Sequence, residues 1–258
     1  MKFYTIFLFF IPIIVFCQPN TDSTISRARI DKYYLGSYLK DYKSIAICPF
    51  KPTVKKYVAM VAISGATYLF INTYDEKIQS FSQEHRSSFT NKLSKDVFEP
   101  IGSGLYLFPA VALIYTHGLI FNNQKSKKVG MNCVKSFILA STFAQISKYS
   151  FQRQRPNVNP PDANNWFTGN RDKSFFSGHT TTAFSIATVI AEEYRKTIWV
   201  PILCYTAASG VGLSRINDNK HWASDVFVGA LTGYLVGRLV VHTNNWGIQI
   251  VPRLIIEP

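Results

Sequence analysis

An all-α bundle of about six core helices is the fold class this sequence predicts, and three observations predict it. First, six apolar runs recur along the chain: Tyr57–Tyr74, Leu105–Phe121, Met131–Ile146, Thr180–Tyr194, Ile198–Leu213 and Val226–Val241. They are rich in Ala, Gly, Leu and Val, and each is too long for an ordinary strand. Second, the breaks between runs carry helix-ending chemistry: Pro100, Gly102–Gly104, the polar Asn122–Lys128 stretch, and Pro156 to Pro161. Third, strand-like alternation is confined to the C-terminal tail, residues 243–258, which reads as a short strand or extended segment.

Taken in order, the chain opens with Lys2 and an apolar run from Phe3 to Phe16, the pattern of an export signal over residues 1–17. Residues 18–56 form a polar leader with short helical pieces, and residues 57–242 carry the bundle. Most apolar runs fall short of the roughly 20 residues that cross a bilayer. They also contain His117, Lys135, Gln145 and Arg238. The basic loops around Lys125–Lys128 and Arg195–Lys196 would be cytoplasmic by the positive-inside tendency. That assignment puts residues 18–56 inside, whereas a cleaved signal leaves them outside. The bundle is therefore expected in the cell envelope, either embedded in the membrane or associated with it, with its chemistry facing the periplasm.

The net charge of +13 suits an anionic partner: a membrane surface or a phosphorylated substrate. Nucleic acid is the weakest candidate, since neither an RNA-binding signature nor zinc-finger spacing is present. Of the four cysteines, Cys17 would leave with the signal and Cys48, Cys133 and Cys204 would remain. They form neither a disulfide framework nor a metal cluster, so no metal or other cofactor is expected. Cys133 and Cys204 read as small apolar residues. The oligomeric state is not legible.

Three constellations carry chemistry. In Ser214–Asp225, His221 and Asp225 are four apart. If a helix starts near His221, the carboxylate can hold one ring nitrogen and leave the other free to attack or take a proton. Arg215 in the same stretch offers a guanidinium to an oxyanion. In Phe175–Phe184, Ser177 is a fitting helix cap and Gly178 permits close backbone approach, while His179 lies at a helix start whose amides can hold a phosphate oxygen. In Lys148–Pro156, Lys148 and Arg155 can converge to neutralise a dianion. Arg153 and Lys173 read as a basic helix end facing water or headgroups. His117 and Lys135 read as satisfied or snorkelling side chains. Trp166, Phe167 and Phe175 are either an entrance lining or simple packing.

Each constellation alone is a cheap match; the three in order are not. Together they resemble the type 2 phosphatidic acid phosphatase (PAP2) superfamily, which includes bacterial acid phosphatases and vanadium haloperoxidases. The resemblance spans about Tyr57 to Val241. It implies a helical core with the active site at one end. Lys148, Arg155, Ser177, Gly178 and Arg215 would bind phosphate, His221 would attack with Asp225 behind it, and His179 would be the acid. One departure is visible: Phe176 stands where the family has proline before Ser-Gly-His. The expected activity is metal-independent hydrolysis of a lipid phosphate monoester or pyrophosphate through a phosphohistidine. The alternatives are a periplasmic acid phosphatase on soluble esters and a vanadium-dependent haloperoxidase.

Overall fold

The structure is a computed structural model, and it describes residues 28, 30–47, 54–169 and 172–243. The export signal, Cys48 and the C-terminal tail lie outside the described residues. Every regular element among the described residues is helical. Among the described residues of the leader is a sixteen-residue helix, α1 (Lys32–Ile47). Asp31 Oδ1 starts it by accepting from the Tyr33 and Tyr34 amides at 3.0 and 2.9 Å. Helices α2 (Val54–Thr73), α3 (Asp75–Glu84) and α4 (Ser88–Leu93) follow, the last opened by a Ser87/Thr90 capping box. A π-helical turn, Ser94–Phe98, leads into the short α5 (Glu99–Gly102) and then α6 (Leu107–Ile120).

Helix α7 (Gln124–Phe151) begins well before the apolar run that predicted it, because the Asn123 side chain caps the Ser126 amide and lets the basic stretch wind into the helix. It ends at Gln152, whose φ of 43° turns the chain sharply. Helices α8 (Gly178–Glu193), α9 (Trp199–Asn217) and α10 (Ala223–Thr243) complete the bundle.

Helix α8 is the central rod. Thr180, Thr181, Ser185 and Thr188 are fully buried on it. Their burial is tolerable because hydroxyls turn back onto the helix: Thr181 donates to the Ser177 carbonyl at 2.7 Å and Ser185 to the Thr182 carbonyl at 2.9 Å. Helix α10 reaches α8 through a stripe of glycines. A Cβ on Gly233 would lie 2.2 Å from the Thr181 carbonyl oxygen, and one on Gly237 2.6 Å from that of Ser185. Apolar side chains fill the remaining seams. Ala183 and Ala187 meet Ala208 and Val211 of α9, Ile186 and Val189 meet Val129 and Cys133 of α7, and Leu139 of α7 meets Val236 and Val240 of α10. Cys133 is buried and Cys204 half-buried, both as free thiols.

Among the described helices, Ala223–Thr243 alone is long and apolar enough to cross a membrane unaided, and Ser88–Gly102 with Leu107–Ile120 would do so as a pair bent by 47°. Large apolar side chains nevertheless point outward along α6 and α9, including Leu113, Ile120, Trp199, Leu203 and Leu213. An apolar exterior of this extent is the mark of a surface that meets lipid or another protein.

Candidate active site

The three constellations converge where α7 ends, α8 begins and the α9–α10 connection passes. Lys148 occupies the last turn of α7, and a Cβ on Gly178 would lie 3.4 Å from its Nζ, so the ammonium lies over the start of α8. Ser177 caps α8. Its hydroxyl oxygen accepts from the Thr180 amide at 3.5 Å and the Thr180 hydroxyl at 2.9 Å, leaving its own hydrogen to donate elsewhere. The amides of Gly178 and His179 belong to the first turn, where no helical acceptor exists, and their dipole favours an anion. The Phe175–Phe176 peptide before Ser177 is cis.

His179 is half-buried beside α5: a Cβ on Gly102 would come within 3.0 Å of its ring. Burial and then the charges of Arg215, His221, Lys148 and Arg155 push its pKa down to about 4. Arg215, in the last turn of α9, is buried. Its Nη2 donates to Asp218 Oδ2 at 2.8 Å, and Glu99 Oε1 lies 3.5 Å from its Nη1. Its carbonyl accepts from the His221 amide at 3.3 Å, so the clamp and the second imidazole share one turn of backbone. Burial also lowers the His221 pKa to about 4; Asp225 opposes that shift, and Lys148 and Arg155 reinforce it. The charges of Lys148 and Arg155 thus bear on both imidazoles, and that of Arg215 on His179. Lys173 places its Nζ 3.8 Å from the Tyr149 ring centroid.

The helix expected to start near His221 begins two residues later, at Ala223. Asp225 in its first turn reaches back to the Trp222 amide at 3.0 Å, half of a capping box. Asp225 Oδ2 lies 3.7 Å from His221 Nδ1, too far for a hydrogen bond. Ser174 fills the gap: its hydroxyl donates to Asp225 Oδ2 at 2.5 Å and lies 3.4 Å from His221 Nδ1. With that proton committed to Asp225, the Ser174 oxygen is left to accept from Nδ1–H. This sets the tautomer in which Nε2 carries the lone pair.

The reading of Arg153 as a basic helix end is overturned. Its side chain is 0% exposed and lies directly behind Asp225. Nη1 donates to Asp225 Oδ1 at 2.6 Å and to the Ser224 hydroxyl at 2.8 Å. Nη2 donates to Asp75 Oδ2 at 2.7 Å, and Nε and Nη2 to the Ala163 carbonyl at 3.0 and 2.8 Å. The guanidinium also stacks between the Trp166 and Trp222 rings, 4.6 and 5.5 Å from their centroids. Trp166 and Phe175 therefore pack, Phe175 at 1% exposure, whereas Phe167 is exposed. Asp75, Ser174, Ser224 and Arg153 are the residues that sequence reasoning missed. Ser174 is three residues before the noted Ser177, but the contact of Asp75 with Ser224 spans 149 positions and leaves no local signal.

Residues 130–248 match the PAP2 superfamily. The chain is 33% identical to the lipid A 1-phosphatase of Porphyromonas gingivalis over 74% of its own length, and spans 38% of that longer protein. It is 30% identical to the bacitracin transport permease protein BcrC of Bacillus licheniformis, covering 60% of this chain and 77% of that one. In fold it resembles the crystal structure of the transmembrane PAP2 type phosphatidylglycerolphosphate phosphatase from Bacillus subtilis, with a TM-score of 0.52 at 22% identity, covering 81% of this chain and 92% of that one.

Proposed function

The chain belongs to the PAP2 superfamily, and from that membership and the geometry of its site we propose that it is a lipid phosphatase working through a phosphohistidine. The observation that carries this reading is that the charges of Lys148 and Arg155 bear on both imidazoles, with Arg215 bearing on His179 and Asp225 on His221. Lys148, Arg155 and Arg215 hold the phosphoryl oxygens with the Ser177 hydroxyl and the Gly178 amide, and stabilise the charge that builds on them in flight. His221 Nε2 forms a bond to phosphorus as the bond to the leaving oxygen breaks, and His179 supplies that oxygen with a proton. Asp225 and Ser174 take up the positive charge on the His221 ring through Nδ1–H. His179, now neutral, removes a proton from water, which attacks phosphorus and breaks the P–N bond. The charge this scheme needs comes from side chains, so no metal enters it.

A lipid substrate is supported by the outward-facing apolar side chains and by the name of the Porphyromonas relative. The basic, apolar N-terminal run supports export, with the site on the periplasmic side. Phosphate release by the full chain in detergent micelles tests the reading. The panel compares an isoprenyl pyrophosphate, phosphatidic acid, phosphatidylglycerol phosphate and p-nitrophenyl phosphate. At least one lipid should exceed p-nitrophenyl phosphate in kcat/KM by about tenfold or more, since chain binding adds to the same chemistry. Equal rates on the soluble ester would replace the lipid reading with an acid phosphatase, and absence of release from every member would end the phosphatase reading.

A further inference from the structure

Behind His221 lies a charge arrangement that the scheme above does not use. Three ionisable side chains, Asp75, Arg153 and Asp225, are fully buried together; burial pushes the Asp75 pKa up, and the Arg153 guanidinium opposes that shift. Burying a lone carboxylate costs several kcal/mol (roughly, after relaxation), and a partner of opposite charge is the usual compensation. Asp225 with Arg153 alone would be a neutral pair. A neutral pair gives little help to a ring that must become positive. Asp75 changes the sum. With one cation shared between two carboxylates, the cluster has more acidic than basic groups, and the imidazole of His221 lies beside it.

The geometry points to Asp75 and Arg153 as positioning residues for the nucleophile. Arg153, divided between the two carboxylates, fixes Asp225 with Oδ1 turned away and Oδ2 facing the His221 ring, while Asp75 restores the negative charge that Arg153 would otherwise cancel. The inference rests on the reading of His221 as the attacking base.

Each part of the arrangement has a structural reason. A guanidinium presents its donors in a rigid plane, and here all three nitrogens are spent: on Ala163, on Asp75, and on Ser224 with Asp225. Two tryptophan faces prevent it from tilting. Asp75 is fixed independently of Arg153, since its two oxygens accept from the Ser224 amide at 2.8 Å and the Ser224 hydroxyl at 2.5 Å. Asp75 opens α3, Arg153 follows α7, and Ser224 and Asp225 open α10. Three separate elements are therefore locked at the point where the attacking ring needs a fixed backing. On its other side His221 faces the positive charges of Lys148 and Arg155, with His179 nearby. Without an excess of negative charge behind it, a ring turning cationic would meet net positive charge from the front alone.

Vanadate separates positioning from plain structural support. It accepts an imidazole nitrogen as a fifth ligand and so imitates phosphorus under attack, whereas inorganic phosphate binds the same cations without that bond. We would measure binding of each to the full chain in micelles by calorimetry, with kcat and KM on p-nitrophenyl phosphate alongside. Asp75→Asn should weaken vanadate at least about tenfold, the order expected for one lost charge a side chain away at an effective dielectric near 20. Phosphate affinity and KM should stay within about threefold, and kcat should fall with vanadate affinity. Equal weakening of both anions, or a kcat within about twofold of wild type, would overturn the inference. Arg153→Lys keeps the charge but cannot span both carboxylates; it should show the same split, and carries the test if Asp75→Asn fails to fold. A wild-type chain that holds vanadate no more tightly than phosphate would remove His221 as nucleophile, and this inference with it.

Discussion

Lys135 and Arg153 are both cations with no solvent exposure, each held by carboxylates brought from another helix. Lys135, in the middle of α7, meets Asp41 of α1 at 2.6 Å and the Ser37 hydroxyl at 2.7 Å, with its Nζ 5.3 Å from the Tyr38 ring centroid. These three partners come from one helix, so the contact fastens α1 to the bundle. Lys135 pairs with the Asp41 carboxylate, with the charge of Lys40 nearby. Arg153 meets two carboxylates from two elements, so acidic groups outnumber basic ones there. The same physics of buried charge yields a fastener in one place and, at the site, an electrostatic backing. What distinguishes them is stoichiometry and what lies next door: an aromatic ring on α1 for Lys135, the imidazole of His221 for Asp225.

The largest effects should break the two regions apart. His221→Ala should lower turnover by at least about a hundredfold. The fold should survive, because the Arg153 cluster does not need the imidazole to hold together. Turnover close to wild type in that variant would remove the nucleophile assignment. Lys135→Ala should do the reverse: it leaves Asp41 buried and unpaired, at a cost of about 3–5 kcal/mol in stability. The protein that remains folded should keep its kcat. Thermal unfolding in micelles, read beside the rate of phosphate release per folded protein, measures both quantities on each variant. A Lys135 variant with normal stability and lost activity would place it in the chemistry.

The contrast also explains what was legible in the sequence. The six long core helices followed from apolar runs bounded by Pro and Gly, whereas α1 and the shorter α3, α4 and α5 lie in stretches without such a run. The side chains proposed to hold the anion were legible because each is fixed by its neighbours along the chain: Ser177 by the helix it caps, Lys148 by the turn it ends, Arg215 by the backbone it shares with His221. Arg153 was not. Two positions from Arg155 in a basic stretch, its local surroundings are those of a surface residue. Only folding brings Asp75 and Asp225 to it, and neither carboxylate stands at a spacing that a helix or turn would reveal. The early start of α7 was hidden for a related reason: the Asn123 cap overrides a stretch whose composition reads as loop.

Acidity sharpens the comparison within the site. Both imidazoles have pKa values near 4, lowered chiefly by burial. A neutral His221 is what attack requires, so attack should remain possible down to about pH 4. His179 must instead carry a proton, and in the free protein at neutral pH it mostly does not. A bound phosphate dianion beside it raises its pKa. The alkaline limb of the kcat profile, which reports the bound state, should therefore lie at higher pH than that of kcat/KM. Coincident limbs would mean that the anion does not sit beside His179. Stability should follow its own course. Both folded pKa values lie below the ordinary histidine value of 6.5, so the unfolded chain takes up protons first. Stability is full above about 6.5 and declines as pH falls toward 4.

The smallest expected effect is the most discriminating. If the Lys135–Asp41 pair is only a fastener, replacing both ends by apolar side chains of similar size should cost nothing. A pair removed whole leaves no orphaned charge, and such replacements in other buried pairs are neutral or stabilise by about 1–4 kcal/mol. Lys135→Met with Asp41→Leu should unfold at or above the wild-type temperature and keep kcat within about twofold. The equivalent exchange at Arg153 and Asp75, to Met and Leu, keeps the net charge through Asp225 but strips that buried carboxylate of its partner and its fixed orientation, so it should cost about 3–5 kcal/mol in stability and lose turnover by at least about tenfold. Equal tolerance at the two places would show that the cluster behind the imidazole is a fastener too.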